Sequence, residues 1–174
     1  MIEQTLILVK PEHVPFAFQL LYELDKIGTR VKDGYIAHVP RELIEKHYAV
    51  HLGQSHYPRL LKQFTGLPVV GAIYEGENII QEFMDEIGNT FPNLAAPRTV
   101  RHRFSNDSRE IATLEDKAVR NVLHRSDDPQ NAISEIRLWS PYLNGLDEFY
   151  ELVKMRMFFS GRGEYDVKRI ITER

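Results

Sequence analysis

Cysteine is absent from the 174-residue chain, and tryptophan occurs only once. Without cysteine there can be no disulfide framework, no thiolate nucleophile and no cysteine-ligated metal site, and a reducing compartment is permitted. Near the N-terminus the apolar run at residues 6–9 is too short for a signal or a membrane span, and the acidic Glu3 lies where a signal peptide would be positive. We therefore expect a cytoplasmic protein that does not bind membranes.

The remaining composition is that of a compact soluble domain. Apolar residues make up 43% and charged residues 27% of the chain, which argues against disordered and fibrous proteins. The formal net charge of −3 makes a general nucleic-acid binder unexpected. Residues 98–125, however, contain seven Lys/Arg against four Asp/Glu, which predicts an anionic ligand in that region.

Hydrophobic periodicity predicts four strands and several helices. The strands are expected at residues 6–9, 29–39, 67–74 and 119–124, and the helices at residues 14–27, 41–51, 59–64, 78–87, 129–139 and 146–159. Residues 90–118 show no sustained period and are predicted to form a long loop. This order favours an α+β fold, a split β-α-β (ferredoxin-like) sandwich with helices on a four-stranded antiparallel sheet.

One histidine lies in a position suited to phosphoryl transfer. His124 ends the fourth predicted strand, just before a helix that opens at Asp128-Pro129, and it lies in the locally basic region. A neutral imidazole is a competent nucleophile near neutral pH, and a helix N-terminus with nearby guanidinium groups would stabilise the phosphate that it attacks. Taken alone, a single histidine is more often a structural or surface residue.

The spacing of Asn121, His124 and Ser126 resembles the active-site motif of nucleoside diphosphate kinases. Similar motifs follow in the family's order: TLILVKP from Thr5, HYAVH around Tyr48, and then GLPVVGAIYEGENII, IGNTFP and AAPRTVR. The resemblance covers roughly residues 4–139. It implies a kinase domain over residues 1–139, with an inserted loop at about 105–118, and a C-terminal helical extension over residues 140–174 that packs on the domain or on a neighbouring subunit.

The resemblance also implies roles for individual residues. The γ-phosphate of ATP, GTP or another nucleoside triphosphate would pass to a nucleoside diphosphate in a ping-pong cycle through phosphohistidine, with Mg²⁺ held by the nucleotide phosphates and no direct protein ligand. The implied catalytic residues are His124, Glu135, Lys10 and Tyr48, and the implied nucleotide contacts are Lys10, His56, Thr90, Arg101, Asn121 and Ser126. A homo-oligomer is implied as well.

Some positions depart from the family pattern. Met84 occupies the place of an arginine that binds phosphate, a loss that Arg98 or Arg103 could offset. His56 lies where an aromatic residue stacks on the base, although the neighbouring Tyr57 could serve after a small shift. These departures motivate an alternative to the active kinase, a regulatory module that keeps the fold, binds a nucleotide or polyphosphate and has weak or no activity. Single-stranded nucleic-acid binding is a weaker alternative, because the basic residues lack interleaved aromatics.

Overall fold

The computed structural model describes residues 1–151 and 153. Its strands are β1 (Ile2–Val9), β2 (Thr29–Ile36), β3 (Val69–Glu77) and β4 (Leu123–Arg125). Its helices are α1 (Ala17–Leu24), α2 (Arg41–His47), α3 (Tyr57–Phe64), α4 (Ile79–Ile87), α5 (Val100–Phe104), α6 (Arg109–Leu114) and α7 (Pro129–Trp139), and short 3-10 turns cover Pro11–Phe16, Ala49–His51, Pro92–Leu94 and Ser140–Tyr142. None of the helices in this part of the chain is both long and apolar enough to cross a membrane.

The four strands form one sheet in the order β2-β3-β1-β4, and every pairing is antiparallel. The predicted α+β sandwich on an antiparallel sheet is therefore confirmed. β4 contains only three residues and pairs with β1 alone, so it forms one edge of the sheet.

Both faces of the central strand β1 are buried. Ile7 and Val9 pack with α1 and α4 on one face, whereas Leu6 and Leu8 pack with α2, α3 and Trp139 of α7 on the other. Because both faces of β1 are buried, residues 6–9 form a continuous apolar run and do not alternate between apolar and polar side chains. The two faces thus define two cores, which we call the α1 face and the α7 face.

The prediction of a loop throughout residues 90–118 was wrong. This region contains α5 and α6, which are five and six residues long. Ser108 caps α6 by accepting a hydrogen bond from the backbone N–H of Ile111 at 3.2 Å. Such short helices repeat an apolar face at most once, so periodicity gives little warning of them.

Several predicted boundaries also need correction, including the following three. β1 begins at Ile2, and the helix expected from residue 14 starts at Ala17 because the proline-containing Pro11–Phe16 segment forms a 3-10 turn first. β4 does not begin at residue 119, because Val122 has a positive φ of 74° and turns the chain immediately before Leu123.

The described part of the C-terminal extension packs on its own domain. Residues 146–151 are helical, and Leu146, Phe149 and Val153 belong to the α1-face core. The Phe149 ring stacks on Tyr35 of β2 with centroids 3.9 Å apart. The predicted continuation of this helix to residue 159 and the charged tail from Ser160 lie outside the described residues.

Candidate active site

His124 is the central residue of the edge strand β4, and its side chain lies on the α7 face. Its Nε2 is 2.9 Å from Oε2 of Glu135, which projects from α7. Because a carboxylate only accepts hydrogen bonds, Nε2 carries the proton and Nδ1 keeps its lone pair. The His124 side chain is 17% exposed, so solvent can reach the ring that carries Nδ1.

Glu135 is itself held by Ser126. The Ser126 hydroxyl donates to Oε2 of Glu135 at 2.7 Å and accepts from the backbone N–H of Leu6 at 3.1 Å. Burial raises the pKa of Glu135, but the hydrogen bond from His124 and the electrostatic attraction between that ring and the carboxylate outweigh burial, and the net pKa is lowered. A chain of hydrogen bonds from β1 thus fixes an ionised carboxylate against the His124 ring.

His47, which the sequence analysis did not single out, packs directly on His124. The two rings are 4.5 Å apart at 84° to one another. Nε1 of Trp139 donates to Nδ1 of His47 at 3.2 Å, so the His47 proton lies on Nε2, which is buried and has no partner in the described chain. Its position before Tyr48 in the HYAVH motif was the one available signal.

The environment of His47 keeps it neutral. Burial, and then the charge of His124, lower the pKa of His47 to about 3. His47, His124 and Glu135 each offer one potential ligand atom, and these three atoms lie within 4.8 Å of one another, a spacing that could suit a metal ion. However, the hydrogen bond from Trp139 fixes the His47 tautomer, so Nε2 has no lone pair to offer a metal without loss of that bond.

Lys10 and Tyr48 lie on the same face of the sheet. Nζ of Lys10 is buried, donates to Oε1 of Gln63 at 3.1 Å and lies over the Phe64 ring. Burial lowers the pKa of Lys10 to about 8, so the ammonium still predominates at pH 7. Burial also raises the pKa of Tyr48, whose hydroxyl therefore stays protonated and, among the described residues, has no hydrogen-bond partner. Both side chains can donate hydrogen bonds to an anion.

Arg101 holds the backbone of β4. Its guanidinium donates to the carbonyls of Asn121 and Leu123 at 2.9 and 3.0 Å and to that of Gly88 at 2.9 Å. The first two carbonyls flank Val122, a β-branched residue with φ of 74°, where backbone strain is expected. Arg101 thus stabilises the turn that leads into the strand of His124.

Asn121 and Thr90 meet beside this turn. Nδ2 of Asn121 donates to the backbone carbonyl of Thr90 at 3.1 Å, and the buried Oδ1 of Asn121 has no partner among the described residues. The Thr90 side chain is exposed. The structure therefore brings the predicted residues Asn121, Thr90 and Arg101 together at the outer edge of β4.

His56 lies farther away, at the end of a row of rings. Successive centroids are 4.5 Å apart from His124 to His47 and from His47 to Tyr48, then 5.9 Å to His51 and 5.0 Å to His56. The row leads from the predicted nucleophile to the predicted base contact. His56 precedes α3, and its Nε2 lies 3.2 Å from Nδ1 of His51.

The departures from the family pattern have clear structural roles. Met84 packs against the α1-face core and supplies no charge. Arg103 forms an ion pair with Glu23, and its Nε donates to the carbonyl of Arg98, which has φ of 77°. Arg103 is thus already paired with a carboxylate of α1.

Comparisons with known proteins agree on one family. The profile of the family described as "Nucleoside diphosphate kinase" matches residues 3–143. The chain is 32% identical over 139 residues to a nucleoside diphosphate kinase of Staphylococcus epidermidis, with 79% of this chain and 87% of that protein covered. It is 34% identical over 146 residues to that of Rhodococcus jostii, with 82% and 98% covered.

Solved structures agree with this result. A transition-state mimic of the nucleoside diphosphate kinase of Borrelia burgdorferi, with bound vanadate and ADP, superposes with a TM-score of 0.74 at 27% identity and covers 79% of this chain and 86% of that one. The Aquifex aeolicus enzyme gives a TM-score of 0.70 at 25% identity, with 84% and 98% covered.

Proposed function

Because the chain belongs to the nucleoside diphosphate kinase family, we propose that it moves the γ-phosphate of a nucleoside triphosphate to a nucleoside diphosphate through phosphohistidine at His124. The observation that carries this proposal is the 2.9 Å contact between Nε2 of His124 and Glu135, which leaves Nδ1 as the nucleophile. The cycle is ping-pong, since one nucleotide leaves before the next accepts the phosphate.

In the first half of the cycle, Nδ1 attacks the γ-phosphorus. The N–P bond forms as the P–O bond to the leaving diphosphate breaks, and the diphosphate keeps the electron pair. The imidazole then carries positive charge, which the ionised Glu135 stabilises through the Nε2 proton. In the second half, a terminal oxygen of another diphosphate attacks the same phosphorus, the N–P bond breaks, and its electron pair returns to Nδ1, which restores neutral His124.

Donors around His124 suit the charge of the transferred group. Tyr48 would donate its hydroxyl to the phosphate in transit, and Lys10 would contact the phosphates and the sugar as an ammonium. Thr90 and Arg101 would bind the distal phosphates, while Asn121 would bind the ribose through its unpaired Oδ1. Phosphoryl transfer depends largely on such positioning and charge stabilisation, which supports these assignments.

Enzymes of this family generally depend on Mg²⁺. The group His47, His124 and Glu135 offers mainly nitrogen, whereas Mg²⁺ prefers oxygen ligands and keeps several of its waters. These residues are therefore compatible with a Mg²⁺ that is held by the phosphate oxygens of the nucleotide, without a direct ligand from the protein. When bound, the ion would neutralise phosphate charge. The homo-oligomer, the cytoplasmic location and the contact of His56 with the base stay predictions.

The regulatory module remains the second candidate, because Arg101 already donates to three backbone carbonyls in place of a phosphate. One experiment separates the two candidates. The purified protein is incubated with γ-labelled ATP and Mg²⁺, an acid-labile and base-stable phosphate is measured, and GDP is then added. For the kinase, we expect label on the wild type and on the surface control His102→Ala, none on His124→Ala, and transfer of the label to GDP. Nucleotide binding by calorimetry without labelling would favour the module.

A further inference from the structure

Arg125, the residue after His124, is a buried cation that lacks a full set of partners. It is 8% exposed, and its only hydrogen bond among the described residues runs from Nη1 to Asp127 at 2.6 Å. Its Nε is buried without any partner, and the Asp127 side chain is 75% exposed. A buried guanidinium nitrogen without an acceptor is costly, so a missing acceptor is expected from a ligand.

A second buried guanidinium lies beside it. Arg101 donates to the carbonyl of Leu123, two residues before Arg125, and is 4% exposed. Within residues 1–151 and 153, Arg101 has no carboxylate in an ion pair with it. Burial, and then the charge of Arg125, lower the pKa of Arg101 to about 10. Two neighbouring buried cations that share one solvated carboxylate, Asp127, as their nearby negative charge favour a bound anion.

The position of this pair relative to His124 identifies the part of the anion that it would contact. His124 pairs with Leu8 and Arg125 pairs with Ile7, so their side chains project from opposite faces of the sheet. β4 is a three-residue strand at the edge of the sheet, and Arg101 donates to the Leu123 carbonyl at that edge, within the electrostatic influence of Arg125. A phosphate chain that ran from His124 to Arg101 would therefore approach Arg125. The phosphate at His124 is transferred, and the phosphates beyond it are not.

We propose that Arg125 binds the phosphates of the nucleotide that are not transferred. This proposal rests on the proposed function, because it assumes that the phosphate chain starts at His124. Arg125 thereby supplies a charge that Met84 does not offer. A planar guanidinium with free N–H groups can bind two phosphate oxygens at once, and Nε and Nη2 form the matching edge.

Calorimetry with ADP tests the proposal, with Arg125→Met as the variant because methionine keeps much of the apolar stem. We expect ADP to bind about tenfold or more weakly to this variant, the loss that corresponds to a charge-assisted hydrogen bond. The maximal rate of labelling by saturating γ-labelled ATP should fall less than about threefold, since the transferred phosphate keeps its own contacts. Arg30→Met, which removes a guanidinium paired with Asp25 and Asp33, is the matched charge control and should bind ADP as the wild type does.

The proposal is overturned if Arg125→Met binds ADP within twofold of the wild type, or if Arg103→Met weakens ADP binding and Arg125→Met does not. If the wild type binds ADP but is never labelled, the kinase cycle fails, and weaker ADP binding by Arg125→Met would still support the proposal. ADP binding therefore tests the role of Arg125, and labelling tests the kinase cycle, so failure of one can be distinguished from failure of the other.

A second variant covers the case in which Arg125→Met does not fold. Asp127→Asn removes the charge that competes for the guanidinium and changes an exposed side chain. ADP should bind several-fold more tightly to this variant, because the positive charge of Arg125 is no longer offset. Unchanged or weaker ADP binding by Asp127→Asn would contradict the proposal.

Discussion

His47 should make the folded protein sensitive to mild acid. Folding lowers its pKa from the ordinary 6.5 to about 3, so the unfolded chain binds more protons than the folded one between these values. The contribution of the neutral His47 to the free energy of unfolding is therefore fully present above pH 6.5, and it is lost as the pH falls toward 3. Between pH 7.5 and pH 5, this one residue should lower the free energy of unfolding by about 2 kcal/mol.

The assay is urea unfolding at both pH values, followed by the fluorescence of Trp139, the single tryptophan and a fully buried one. In His47→Asn the amide oxygen can still accept the Trp139 hydrogen bond, while the titratable ring is gone. We expect this variant to lose most of the 2 kcal/mol dependence, and the exposed His102→Asn to keep it. If His47→Asn shows the same loss between pH 7.5 and pH 5 as the wild type, the reasoning is refuted.

Three further predictions follow from other contacts. Glu135→Gln should slow phosphohistidine formation roughly tenfold to a hundredfold in single-turnover labelling, because it removes a charge-assisted hydrogen bond, and a rate within threefold of the wild type would contradict the orienting role. Phe149→Ala should cost about 3–5 kcal/mol in urea unfolding, against less than about 0.5 kcal/mol for Leu114→Ala, which is 88% exposed. Since the pKa of Lys10 is about 8 in the fold and 10.5 ordinarily, ADP affinity measured by calorimetry should fall up to about tenfold between pH 7.5 and 9 as the ammonium is lost, and the dependence should be absent in Lys10→Met.

The sequence predicts the architecture well because the main elements bury apolar side chains at regular spacing. The segment from Asp128 to Trp139 contains a capping aspartate, a proline in the first turn and a helical period, and α7 spans Pro129–Trp139 as expected. By contrast, α5 and α6 are too short to show a period. The start of β4 depends on the positive φ of Val122, which no propensity for valine would suggest.

The residues of the candidate site also fall into those that the sequence predicts and those that it does not. His124, Ser126 and Glu135 are evident from motif spacing, and the structure joins them in one hydrogen-bonded group. His47 escapes such reasoning, because its importance depends on a contact with Trp139, 92 positions away. Arg125 escapes it as well, because burial of an arginine cannot be recognised from its sequence neighbours.

The guanidinium of Arg101 also has a consequence for solubility. Backbone groups of Val122 face β1, so by strand alternation the carbonyl of Leu123 points away from the sheet, where it would offer an unpaired edge to another chain. Arg101 occupies that carbonyl and the one at Asn121. Replacement of Arg101 by alanine should therefore expose a template for strand addition, and the variant should self-associate at concentrations at which the wild type does not.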